Sequence, residues 1–158
     1  LPDQISKLQK LISQITLELS NTPITKELSE TLTTTFPPEG ELFQDIQTLC
    51  KTGMSEGWLG KYEAGGLRYG RVIKRSPETH DFSVDVVLMK DVKGPYHVHP
   101  TGEIDMVFPL DETANFDGQG LGWKVYSPGS GHYPTVRNGE AIVLYLLPNG
   151  EIDFTKPN

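Results

Sequence analysis

A single cysteine, Cys50, stands among the 158 residues, so the chain can close no intramolecular disulfide and build no cysteine-rich zinc module. Positive charge is also scarce: 14 Lys and Arg against 21 Asp and Glu leave a formal net charge of −7. That balance argues against nucleic-acid binding, which needs a basic surface, and it leaves no polybasic cluster to hold the chain on an anionic membrane. No apolar run approaches the roughly 20 residues of a membrane-spanning helix. The first residues, Leu1-Pro2-Asp3-Gln4-Ile5, carry neither the positive start nor the apolar block of a secretory signal, and the cytoplasm is the expected compartment. The composition is otherwise that of an ordinary globular protein, 36% apolar and 22% charged. The length suits one domain, or one domain with an appendage.

The sequence changes character near residue 55. Before it, apolar residues fall at helical spacing: Ile5, Leu8, Ile12, Ile15 and Leu19 step by three or four, with Leu11 beside them. Asp3 is the expected N-cap of this amphipathic helix, and Asn21-Thr22-Pro23 its end. Thr25 is placed to cap a second helix carrying Leu28 and Leu32. A third is expected from Glu39 to Lys51, with Leu42, Phe43, Ile46 and Leu49 on one side and Gly53 closing it. Residues 1–54 therefore read as an α-helical extension, either a layer packed on the rest or a dimerisation arm. From residue 55 to 158 the period drops to two, with strands expected at Leu67–Ile73, Ser83–Met89, Glu103–Phe108, Gly122–Tyr126, Glu140–Leu147 and Glu151–Phe154. Turn signals such as Lys93-Gly94-Pro95, Ser127-Pro128-Gly129 and Asn138-Gly139 separate them. Short strands joined by tight turns point to an antiparallel barrel or jelly roll, so the fold class is mainly β with an N-terminal helical extension.

The most informative segment is Gly94-Pro-Tyr-His97-Val-His99-Pro-Thr-Gly-Glu103-Ile-Asp105. On a strand, His97 and His99 project from the same face. The Pro100-Thr101-Gly102 bend then returns Glu103 beside them. Two imidazoles and a carboxylate suit a divalent first-row transition metal, and iron, manganese, nickel and zinc all remain open. His132, in the Gly-rich turn Ser127-Pro-Gly-Ser-Gly-His132, is placed to add a fourth ligand from a distant strand. His80, in the Pro77-Glu-Thr-His80 loop, is expected to face solvent. Gly65-Gly66 and Gly118-Gln-Gly-Leu-Gly122 open no helix and read as hairpin turns rather than phosphate loops.

The His-x-His-x3-Glu run after Gly94 resembles the first cupin motif, and Pro128-Gly-Ser-Gly-His132 is similar to the second. Gly94 stands nearer His97, and Pro128 nearer His132, than those motifs usually have it. A narrower likeness covers most of residues 36–156. Gly57-Trp-Leu, Gly66-Leu-Arg68-Tyr-Gly-Arg71-Val, Phe82-Ser-Val-Asp85-Val-Val and Phe116-Asp-Gly-Gln-Gly-Leu-Gly-Trp123 resemble the 4-hydroxylaminobenzoate lyase family, as do His132-Tyr-Pro-Thr-Val and Leu144-Tyr-Leu-Leu-Pro-Asn-Gly. The resemblance implies a cupin-type jelly-roll β-barrel. It also implies a metal-dependent enzyme that converts 4-hydroxylaminobenzoate to 3,4-dihydroxybenzoate and ammonia.

On that reading the substrate is a small aromatic carboxylate, and a guanidinium is the natural anchor for it. Arg71 shares a strand face with Leu67, Tyr69 and Ile73 and is the preferred anchor, with a surface arginine as the other reading; Arg137 is a weaker choice. Asp105 follows Glu103 by two and faces the same way, as a general acid/base or as the partner that orients a ligating imidazole. Tyr96 is taken as the phenolic donor, with Tyr133 and Tyr145 as further tyrosines that could line the site. Two other functions remain: a cupin dioxygenase or isomerase on another small acid, and a cupin that binds or senses a ligand without turnover. An open-edged barrel with an amphipathic arm also makes a homodimer the expected assembly.

Overall fold

A computed structural model describes residues 2–155; Leu1 and residues 156–158, which the sequence reading assigned to the extension and the barrel, lie outside the described residues. Three helices come first: α1 (Pro2–Leu19), α2 (Leu28–Thr35) and α3 (Glu41–Glu56). Nine strands follow: β1 (Tyr62–Ala64), β2 (Leu67–Ile73), β3 (Phe82–Lys93), β4 (His97–His99), β5 (Glu103–Pro109), β6 (Asn115–Phe116), β7 (Gly122–Tyr126), β8 (Ser130–His132) and β9 (Thr135–Pro148). No helix is long and apolar enough to cross a membrane among the described residues.

The main sheet runs β1-β2-β3-β9-β5-β7, with β6 also on β9, and every pairing in it is antiparallel. β4 and β8 form a separate two-stranded sheet. The architecture is the expected antiparallel jelly-roll type, but the main sheet is not a closed barrel, because β1 and β7 end it without pairing to each other.

The period of two sorts each strand between two cores. Val84, Val86, Ile104, Met106, Ile142, Leu144 and Leu146 face the helices, where Leu8, Ile12, Ile15, Phe43 and Ile46 are buried against the same cluster. Val87, Met89, Val107, Val143, Tyr145 and Leu147 face the other way, with Leu67, Phe116 and Val136. A sheet covered on both faces explains why β5 and β9 read as nearly continuous apolar runs. Phe43 of α3 meets Phe108 and Trp123 edge-on at 5.4 and 5.7 Å, and the Trp123 indole N–H donates to the Phe36 carbonyl at 2.9 Å.

Several boundaries differ from those expected. α1 begins at Pro2, which places Asp3 inside its first turn, and Glu27 rather than Thr25 stands at the start of α2. α3 continues past Gly53 and ends where Gly57 turns left-handed at φ 85°. The buried Gly53 serves instead for close approach, since a Cβ there would lie 2.6 Å from the Leu59 side chain. A register shift between Arg71 and Ile73 turns Ile73 away from Arg71, into the helix-facing core. Asn138-Gly139 does not separate two strands but lies within β9, where the register with β3 jumps between Lys90 and Val92. Glu151–Phe154 forms no strand beyond an isolated bridge from Asp153 to Val98. His80 is half-buried rather than solvent-facing, its Nδ1 2.8 Å from Thr16 Oγ1 of α1.

Candidate metal centre and cavity

β4 and β8 pair so that His97 lies opposite His132 and Val98 opposite Gly131. The side chains of His97 and His99 share one face of β4, and the turn at Gly102 brings Glu103 under them from the first residue of β5. One ligand atom from each of His97, His99, Glu103 and His132 falls within 4.8 Å of the others. His97 Nε2 is 3.1 Å and His99 Nε2 3.3 Å from Glu103 Oε1. His132 Nε2 lies 3.9 Å from Glu103 Oε2 and 3.2 Å from His97 Nε2.

The outer nitrogens fix how two of these rings are protonated. His132 Nδ1 is 2.6 Å from Asp117 Oδ2; a carboxylate can only accept, so Nδ1 carries the proton and Nε2 turns its lone pair inward. Ser130 Oγ donates to the Ser127 carbonyl at 2.6 Å and therefore accepts from His99 Nδ1 at 3.1 Å, which gives His99 the same tautomer. Lone pairs and a carboxylate thus converge on one point. His99 Nε2 and Glu103 Oε2 are sealed from solvent with no hydrogen-bond partner. Such a cluster repels itself unless a cation sits among its members, so the residues fit a bound metal.

Burial works to raise the Glu103 carboxyl, but hydrogen bonding, first of all with His97, outweighs it and holds the group well below the usual carboxylate range. Asp105 is shifted the other way, upward, by burial and then by the charge of Glu103, and both its oxygens are sealed and unpartnered among the described residues. Burial also opposes ionisation of Asp117, yet hydrogen bonds from His132, Tyr126 and the Thr135 amide keep its carboxyl below the ordinary value. The Tyr126 hydroxyl donates to Asp117, and its ring lies 4.2 Å from that of His132 and 5.0 Å from that of His99.

A cavity of about 860 Å³ opens beside the cluster and reaches it through His97 and Tyr145. Leu67, Val87, Met89 and Ile152 supply apolar wall, and Tyr62, Tyr69 and Phe154 stand exposed around it. Arg71 lies in the wall. Asp85, opposite it on β3, takes its Nε at 2.7 Å and its Nη2 at 3.3 Å, and the Gly150 carbonyl accepts from Nη2 at 3.2 Å. Tyr96 is not brought to the cavity: its ring packs on Tyr133 at 5.1 Å, and its hydroxyl lies over Gly131. Arg137 is exposed on β9 beside β6. Asp117, Ser130 and Tyr126 complete the surroundings without having been singled out as site residues in the sequence, whereas Tyr145, one of the further tyrosines named there, lines the cavity. The Pro-Gly-Ser-Gly-His run contained Ser130, and Asp117 lay in a turn.

The family model for PnbB, 4-hydroxylaminobenzoate lyase, matches residues 10–154. A 4-hydroxylaminobenzoate lyase of Pseudomonas putida is 39% identical over 136 residues, 75% of this chain and 77% of that protein. One from Nocardioides sp. is 38% identical over 151 residues, 89% of each. Among solved structures, an RmlC-like cupin from Ralstonia eutropha is similar at 13% identity and a TM-score of 0.41, over 56% of this chain and 59% of that one.

Proposed function

The chain belongs to the 4-hydroxylaminobenzoate lyase family, and from that premise we propose that it is a metal-dependent lyase converting 4-hydroxylaminobenzoate to 3,4-dihydroxybenzoate and ammonia. The observation that carries this reading is the inward-facing cluster of His97, His99, Glu103 and His132 beside an apolar cavity of a size usual for small-molecule sites. With water as second reactant the conversion balances without an external oxidant. The N–O bond, the C4–N bond and the C3–H bond break, the ring gains two hydroxyl oxygens at C3 and C4, water supplies the one oxygen the substrate lacks, and the nitrogen leaves as ammonia.

In this reading His97, His99 and His132 through Nε2, with the Glu103 carboxylate, hold one divalent ion; iron, manganese, nickel and zinc all accept such donors. When bound, the ion supplies a Lewis acid beside the reacting nitrogen and oxygen. The chain's own groups do the rest. Arg71 is locked by Asp85 and Gly150, which leaves Nη1 to meet the substrate carboxylate. Burial, and then the charge of Glu103, push the Asp105 carboxyl upward beneath the cluster, where it can give or take a proton. The apolar wall excludes water from the ring. Tyr96 supports β4 from outside through Tyr133. A cytoplasmic homodimer belongs to the same reading, supported by the exposed edge strand β1.

The test is anaerobic incubation of metal-loaded protein with 4-hydroxylaminobenzoate. Equal amounts of ammonia and 3,4-dihydroxybenzoate are expected. The His97→Ala/His99→Ala double variant is expected to lose both its metal and the activity. Oxygen uptake would point instead to a dioxygenase, and tight binding without turnover to a sensing protein.

A further inference from the structure

Five polar side chains cross the inner face of the main sheet at one level. Arg71 pairs in register with Asp85, Asp85 with Tyr145, Tyr145 with Asp105, and Asp105 with Lys124. Tyr145 occupies the middle of this row, on β9. Its side chain is buried against the inner core yet lines the cavity, and its ring lies 6.1 Å from that of His97. Among the described residues no group accepts a hydrogen bond from its hydroxyl, whereas the other phenol beside the histidines, Tyr126, is already committed to Asp117. Arg71 stands two strands away, and neighbouring strands lie about 4.8 Å apart, so the backbone positions of the two residues are roughly 10 Å apart across the sheet. That span suits a para-disubstituted benzene with a hydrogen-bonded polar group at each end.

We propose that Tyr145 is a substrate-contacting residue whose hydroxyl donates a hydrogen bond to the hydroxylamine oxygen, while Arg71 takes the carboxylate. The pair thereby selects para-substituted aryl acids. This rests on the lyase reading and adds to it the group that meets the reacting end and a rule for which isomers enter.

Tyr145→Phe removes one oxygen and keeps the ring, so the variant should retain the wild-type fold and metal content. With 4-hydroxylaminobenzoate its kcat is expected to fall by about 10²-fold with KM changed little, as for loss of one donor to a reacting oxygen. A second measurement is independent of turnover. Titration calorimetry of wild-type protein with 4-hydroxybenzoate, 3-hydroxybenzoate and benzoate should show the para isomer bound about tenfold more tightly than either of the others, a preference that Tyr145→Phe abolishes. Wild-type turnover with an unimpaired Tyr145→Phe variant would overturn the role of Tyr145 and leave the lyase reading standing. Absent turnover with a Tyr145-dependent para preference would overturn the lyase reading and keep the contact. Neither turnover nor preference would overturn both.

Discussion

At the scale of single residues, the centre depends on groups that never touch the point where the four ligands meet. Asp117 makes His132 a usable donor by holding its proton on the outer nitrogen, and it ties the same turn to Tyr126 and to the Thr135 amide. Asp117→Asn keeps the size but gives up the charge. Its metal affinity is expected to fall by about 10- to 100-fold in competition with a chelator, as for other partners of ligating histidines, while the fold persists. The clustering itself was legible in the sequence, because parity on a strand puts His97 and His99 together and a three-residue bend returns Glu103. Asp117 was not. It lies fifteen residues before His132, and the approach depends on a left-handed turn at Asp117 that alternation does not encode. Tyr96 fails for a reason the sequence did contain: one residue before an inward His97, an extended chain turns a side chain outward. The same parity on β9, applied from Val143 or Leu147, puts Tyr145 on the inner face.

At the scale of elements, the departures gather where backbone irregularity or tertiary contact overrides a local signal. Gly53 resembles a helix stop, yet α3 passes through it, because the missing side chain makes room for Leu59 and Trp58 as the chain folds back. Gly53→Ala would gain roughly 1 kcal/mol of helix propensity but would drive a methyl to within 2.6 Å of Leu59 and 3.1 Å of Trp58. Overpacking of buried neighbours costs about 1–3 kcal/mol, so a net loss is expected, read as a lower urea midpoint at unchanged slope. The shift between Arg71 and Ile73 is a second case. The expected shared face breaks there, and the break lets one strand give Arg71 to the cavity and Ile73 to the helical layer. Asn138-Gly139 carries the same lesson. Residues that end a strand elsewhere serve here as an irregularity inside β9, with Asn138 at φ 62° and Gly139 at φ 136°.

At the scale of the whole molecule, the helical segment and the sheet share a hydrophobic core, with Leu8, Ile12 and Phe43 in the same cluster as Val86, Ile104 and Leu144. Neither part can hide its apolar face without the other. Urea unfolding of a Trp58→Phe variant followed by far-ultraviolet circular dichroism, which reports the helices, and by fluorescence of the remaining Trp123, which reports β7, should therefore give one midpoint. Two midpoints would show the helical layer to be a separate unit. The inner face of the same sheet divides its duties by strand. Of the four clustered side chains only Glu103, on β5, belongs to it, the three histidines standing on β4 and β8 of the small sheet, while Leu67, Tyr69, Val87 and Met89 of β2 and β3 line the cavity. Inheritance can act on these two sets separately. A lineage of such chains can change the shape of the wall by drift there alone, with the four clustered side chains passed on intact.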